Sequence, residues 1–206
     1  EHNWFGLIST YTTRLGQYFD VYGGIDLRYY KGKHYNELVD LYGGEYFIDN
    51  SRANVKYKAD DTDWQNEHLQ KGDIIFRDYD GFVMQEGFFA QGEYNRDNLS
   101  VFMAGSLSNS TYWREDRFYY SKADAKSSKE SFLGFTLKGG ANYNLTEKHN
   151  VFANIGYFSR PPHMQGGVFL QNDVSNVVNP DAMNEKVFSM ELGYGFRASW
   201  LSANVN

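Results

Sequence analysis

The sequence predicts an all-β chain: an antiparallel up-and-down transmembrane β-barrel meander of about eight strands, part of a larger barrel. Three observations predict it. Side-chain character alternates with a period of two, short and long connections alternate along the chain, and aromatic rings gather at one end of the apolar face.

The period is clearest in residues 131–145. Leu133, Phe135, Leu137, Ala141 and Tyr143 oppose Thr136, Lys138, Gly140 and Asn142. Residues 187–196 set Phe188, Met190, Leu192, Tyr194 and Phe196 against Ser189, Glu191, Gly193 and Gly195. Residues 18–30 set Phe19, Val21, Ile25, Leu27 and Tyr29 against Asp20, Asp26 and Arg28. With weaker segments included, the expected strands are 4–12, 18–30, 82–94, 98–112, 131–145, 149–159, 186–197 and 199–206. Charges on the polar face need water or partners, and the lumen of a wide barrel supplies both. A one-sided soluble sheet predicts the same alternation, so the period alone does not choose between them. Glu86 falls on the apolar face, toward the long-loop end. There a charge is tolerated only near the membrane rim, and a deeper position would imply a one-residue register slip.

The connections do choose. Short turns near 13–17, 95–98, 144–149 and 197–199 carry turn chemistry such as Gly16 and Asn95-Arg96-Asp97-Asn98. The other connections are long: 31–81, 113–130 and 160–185. An antiparallel meander then places every short turn at one end and every long loop at the other, as transmembrane barrels do. Tyr11, Phe19, Tyr94, Tyr143, Tyr194 and Phe196 stand at the short-turn ends of the apolar face. Rings at one height form an interfacial girdle.

Composition removes other classes. The 206 residues carry a formal charge of −6 and no basic run, which leaves no electrostatic footprint for nucleic acid. There is no cysteine, so no disulfide framework or thiolate metal site exists. No apolar run is long enough for a transmembrane helix. No nucleophile elbow, zinc-protease helix or phosphate loop occurs. Asp60-Asp61-Thr62-Asp63 lacks the glycine and distal glutamate of a calcium loop. The five histidines show no ligand spacing, so no metal or cofactor is expected and the chain does not read as an enzyme.

Two late segments carry a family likeness. Residues 152–162 hold an aromatic-Ser-Arg-Pro-Pro ending at Arg160, Pro161 and Pro162. Residues 179–196 hold Asn179-Pro180, then Glu185-Lys186, then Glu191-Leu192-Gly193. In this order they resemble the paired late-barrel motifs of TonB-dependent receptors, and 23–35 is similar to a mid-barrel strand of that family. The resemblance implies a 22-stranded barrel, of which 1–206 would be a part without plug or TonB-binding box. It implies TonB-energised import of a nutrient across the outer membrane of a Gram-negative bacterium. The implied partners are the TonB complex through a plug, the lipid bilayer, and a small-molecule or glycan ligand.

Binding residues concentrate on loops. The expected ligand contacts are therefore His34, Tyr35, Trp64, His68, Tyr112, Trp113, Arg114 and His163. Rings stack on sugars or flat ligands, and Arg or His holds anionic groups. Arg160 and Glu185 are expected to fix the barrel rim as a pair, with Pro161, Asn179, Pro180 and Glu191 as framework. Two other readings stay open: a small self-contained outer-membrane barrel, and a soluble glycan-binding β-sandwich using Trp64, Tyr112 and Trp113.

Overall fold

A computed structural model describes residues 1–51, 68–170 and 176–206. Among these residues eight strands form one antiparallel sheet in chain order. They are β1 (His2–Leu15), β2 (Phe19–Glu37), β3 (Ile74–Arg96), β4 (Leu99–Asp116), β5 (Glu130–Asn144), β6 (His149–Arg160), β7 (Glu185–Arg197) and β8 (Ser202–Val205). The sheet is open, with β1 and β8 at its edges.

The register carries one face through the whole meander. Leu27 opposes Leu7 and Glu86, Phe88 opposes Leu107, and Leu107 opposes Phe135. Farther along, Leu137 opposes Tyr157, and Ile155 opposes Met190. Among the described residues nothing packs on this face at β5 and β7: Met190 is 77% exposed, Leu192 74% and Leu133 60%. Bare apolar surface on that scale needs a covering, and lipid supplies it.

The strands β2, β3 and β4 run 19, 23 and 18 residues, where crossing a bilayer takes about 9–11. Residues 31–37, 74–81 and 113–116 are therefore strand, although their composition suggested loop. The reason is solvent. Beyond the membrane both faces meet water, so Lys31, Lys33, Asp78, Asp80 and Glu115 take the positions that apolar residues hold lower down, and the alternation fades. At the other end, β8 begins at Ser202 because Ala198 and Leu201 are joined in a turn, Ala198 N–H to Leu201 C=O at 2.7 Å.

Where β3 leaves its regular ladder, the pairing shifts between Tyr35 and Asn36, and Phe76 adopts φ 63°. A bulky side chain in that region is strained. Two loops hold it. Phe76 N–H donates to Asp49 Oδ2 at 2.9 Å, and the Tyr119 hydroxyl donates to Phe76 C=O at 2.6 Å. The described residues of the connections 38–73, 117–129 and 161–184 thus form a cap. Phe118, Tyr119 and Tyr120 form a core with Ile74, and Val168 and Phe169 are fully buried within the 161–184 connection. Asn176 ties two of the loops, its side chain donating to Ala125 C=O at 2.8 Å.

Candidate functional site

The polar face carries a row of directly paired residues just below the cap: His2, Gly32, Gly81 and Arg114. Two glycines at its centre leave a floor without side chains, and rings close around it. His2 Nδ1 and the Tyr30 hydroxyl are 2.6 Å apart. The Trp4 ring lies 4.5 Å from that of Tyr30, and His34 stacks on Tyr79 at 4.8 Å. A β-carbon on Gly32 would lie 2.2 Å from Tyr30 Oη and 2.8 Å from His34 Nε2, so these two side chains fold over the glycine. Met164 arrives from the 161–184 connection and covers Gly81. Below Trp4 the surface continues into a recess of about 380 Å³ lined by Trp4, Phe5, Gly6, Ile8, Asp26 and Arg28. There Arg28 and Asp26 form an ion pair at 2.7 Å.

The arrangement offers flat rings, two imidazoles, a hydroxyl and a charged pair on one open surface. Such a set stacks on and hydrogen-bonds a polar organic molecule. Among the described residues no group of metal-ligating side chains is present.

The expected ligand contacts divide between the two faces. His34 is in the cluster. Tyr35, one residue on, is on the opposite face, with Lys33 Nζ 4.8 Å from its ring centroid. Tyr112 is on the polar face, edge-on to Phe132. Trp113 points outward and stacks flat on Phe82 at 5.1 Å, with Tyr29 at 6.3 Å. Its surroundings are those of an upper interfacial ring, because residue 113 is strand and not loop. Arg114 is on the polar face but only 1% exposed, its guanidinium 3.8 Å from the Tyr79 ring centroid. In this arrangement it stacks on the Tyr79 ring and is buried from solvent. His68 packs on Tyr46 at 4.0 Å, away from the row, and His163 is exposed, with its carbonyl accepting from Val168 N–H. Trp64 lies outside the described residues.

The motif residues frame the cap. Arg160 pairs with Glu185 across β6 and β7. Pro161 packs over Gly134. Asn179 donates to Gly167 C=O at 2.9 Å and accepts from Asp181 N–H across Pro180, which fixes the 161–184 connection. Glu191, on the polar face of β7, accepts from Asn154 at 2.9 Å.

Sequence reasoning missed His2, Trp4, Tyr30 and Tyr79. The signal was parity: His2 and Trp4 share a face with Tyr30 and His34 once the first hairpin is registered across Gly16.

An apolar surface without protein cover, a polar opposite face and long connections gathered at one end define the wall of an outer-membrane β-barrel. The chain matches the TonB dependent receptor-like β-barrel family over residues 1–206, its whole length, and it belongs to that family. Members are outer-membrane transporters of Gram-negative bacteria, driven by TonB through a plug domain, and are not enzymes. Comparison with curated proteins finds no match.

Proposed function

We propose that this wall belongs to a receptor importing a nutrient, a small polar organic molecule or glycan, which is met on the His2–Trp4–Tyr30–His34–Tyr79 surface. The cluster around Gly32 carries the reading. It places stacking rings and hydrogen-bonding groups where the polar face passes under the loop cap, the mouth of the barrel. Lower on the same face, Gln91, Glu93, Lys138, Asn142 and Asn154 line a groove of about 570 Å³ that supplies polar contacts for a plug. The two bare edges at β1 and β8 leave backbone groups unsatisfied in lipid, so the complete wall pairs both with further strands.

The test uses the full-length receptor with Trp4→Ala and His34→Ala. Growth on single carbon or nitrogen sources is compared in cells with and without functional TonB, at matched surface abundance. A TonB-dependent substrate whose uptake both variants reduce identifies the nutrient. Unchanged uptake of every TonB-dependent substrate removes the cluster from the ligand path.

A further inference from the structure

The outward face bears two aromatic bands. Phe5, Tyr29, Phe82 and Trp113 mark the upper one, and Tyr11, Phe19, Tyr94, Tyr143 and Tyr194 the lower. Between them a polar patch interrupts the apolar surface. Glu86 on β3 stands directly opposite Asn109 on β4, and Thr111 on β4 stands opposite Ser131 on β5. Asn109 Nδ2 donates to Thr111 Oγ1 at 3.2 Å, and the Thr111 and Ser131 hydroxyls are 2.8 Å apart. Glu86 is exposed and has no hydrogen bond or ion pair among the described residues.

Its depth makes this notable. Glu86 lies four residues along β3 from Phe82 and eight from Tyr94. At ~3.3 Å per residue and a strand tilt of roughly 40°, that is about 10 Å below the upper band, inside the apolar zone. The ladder is unbroken from Phe19 to Tyr35 against β3 and along all of β3–β4, and the shift at Tyr35/Asn36 lies beyond it, so Glu86 faces outward. A lone carboxylate facing hydrocarbon is unfavourable and calls for a donor.

The patch is its own complement. It presents an acceptor, the Glu86 carboxylate, beside a donor, the second N–H of Asn109 Nδ2. Two copies in one membrane share an orientation, so a two-fold axis relating them runs along the membrane normal. An axis passing between β3 and β4 swaps their lateral positions at constant height. It sets Glu86 of each copy against Asn109 of the other, an isologous contact. We propose that this patch is where two copies of the receptor meet in the bilayer, with each Glu86 accepting from Asn109 of the second copy. Met84, Phe88 and Leu107 surround the polar centre and supply apolar contact.

The experiment uses the full-length receptor in outer membranes. Glu86→Cys and Asn109→Cys are co-expressed with different tags and oxidised with copper phenanthroline. A disulfide-linked species of twice the receptor mass, carrying both tags and exceeding either same-variant product, is expected. The Glu86→Leu, Asn109→Leu double variant should lose the dimer in native mass measurements from nanodiscs, while Arg160→Ala keeps it. A wild-type monomer, or a cross-link to a protein of another mass, overturns the proposal. Spin labels at Leu133 and Met190 report whether the face meets lipid at all. Lipid there with a monomeric receptor rejects the dimer alone, whereas water there rejects the membrane setting as well.

Discussion

Arg160 and Glu185 end the β6–β7 ladder directly opposite each other, and the guanidinium Nε and Nη2 both reach Glu185 Oε2, at 3.1 and 2.5 Å. The side chains are 62% and 55% exposed, so the pair contributes about 0–1 kcal/mol. It sets the rim from which the 161–184 connection departs and lies apart from the Gly32 cluster. Arg160→Ala should therefore leave surface abundance and ligand uptake near wild type, with faster protease cleavage between 161 and 184 as its main effect. Lost uptake from an assembled Arg160→Ala barrel would move this residue into the ligand path.

The facing of the sheet gives a second prediction. Labels at Leu133, Leu137, Ile155, Met190 and Leu192 should be relaxed by lipid-dissolved oxygen. Labels at Thr136, Asn142 and Ser189 should respond to an aqueous nickel chelate. The register makes each set a single surface, so a mixed result within a set would disprove the pairing.

Asp49 is 3% exposed and accepts from two backbone donors, Ser51 N–H at 2.8 Å and Phe76 N–H at 2.9 Å. Removing it leaves both donors unpaired under the cap, a cost of about 1–3 kcal/mol. Asp49→Ala should open the 38–73 connection to protease without weakening the membrane part. Tyr119→Phe removes the hydroxyl that bonds Phe76 C=O and should have a smaller effect, about 0.5–1.5 kcal/mol. Equal cleavage rates for wild type and Asp49→Ala would show that the bulge needs no clamp.

Arg117 lies just past β4, and its pKa is raised above the ordinary guanidinium value, first by hydrogen bonding to Asp78 and then by Asp80. Asp80 also holds Lys31 at 2.9 Å. This network stiffens the strands where they leave the membrane, and such residues show why legibility in the sequence stops where it does. Inside the bilayer one face must be apolar, so the parity of Leu133, Phe135 and Leu137 or of Met190 and Leu192 is plain. Above it, Lys31, Lys33, Asp78 and Asp80 satisfy strand geometry with charge, and they read as loop. The same boundary misplaced Tyr112-Trp113-Arg114. With Tyr112 ending a strand and Trp113 and Arg114 opening a loop, the three could share one site. As strand they alternate, with Trp113 toward the membrane interface and its neighbours toward the polar face. Val168 and Phe169 are fully buried although they lie in a long connection, and no period or motif marks them.

Two glycines of β2 separate the demands of assembly from those of binding. A β-carbon on Gly24 would lie 1.8 Å from the Ser9 carbonyl oxygen, which is backbone of the neighbouring strand. A β-carbon on Gly32 would instead meet Tyr30 Oη and His34 Nε2, the free ends of side chains that can swing aside. Gly24→Ala must push β1 away from β2, and strain of this kind costs about 1–3 kcal/mol. The assembled, heat-modifiable receptor should fall in abundance. Gly32→Ala should assemble normally yet displace the Tyr30 and His34 tips from the floor of the cluster, so uptake should drop at unchanged surface level. Both quantities are measured on one set of cells, by surface labelling and by TonB-dependent uptake. Normal uptake in Gly32→Ala would mean that the ligand does not use the floor between His2 and Arg114. Normal assembly in Gly24→Ala would mean that β1 can separate from β2 there without harm to the wall.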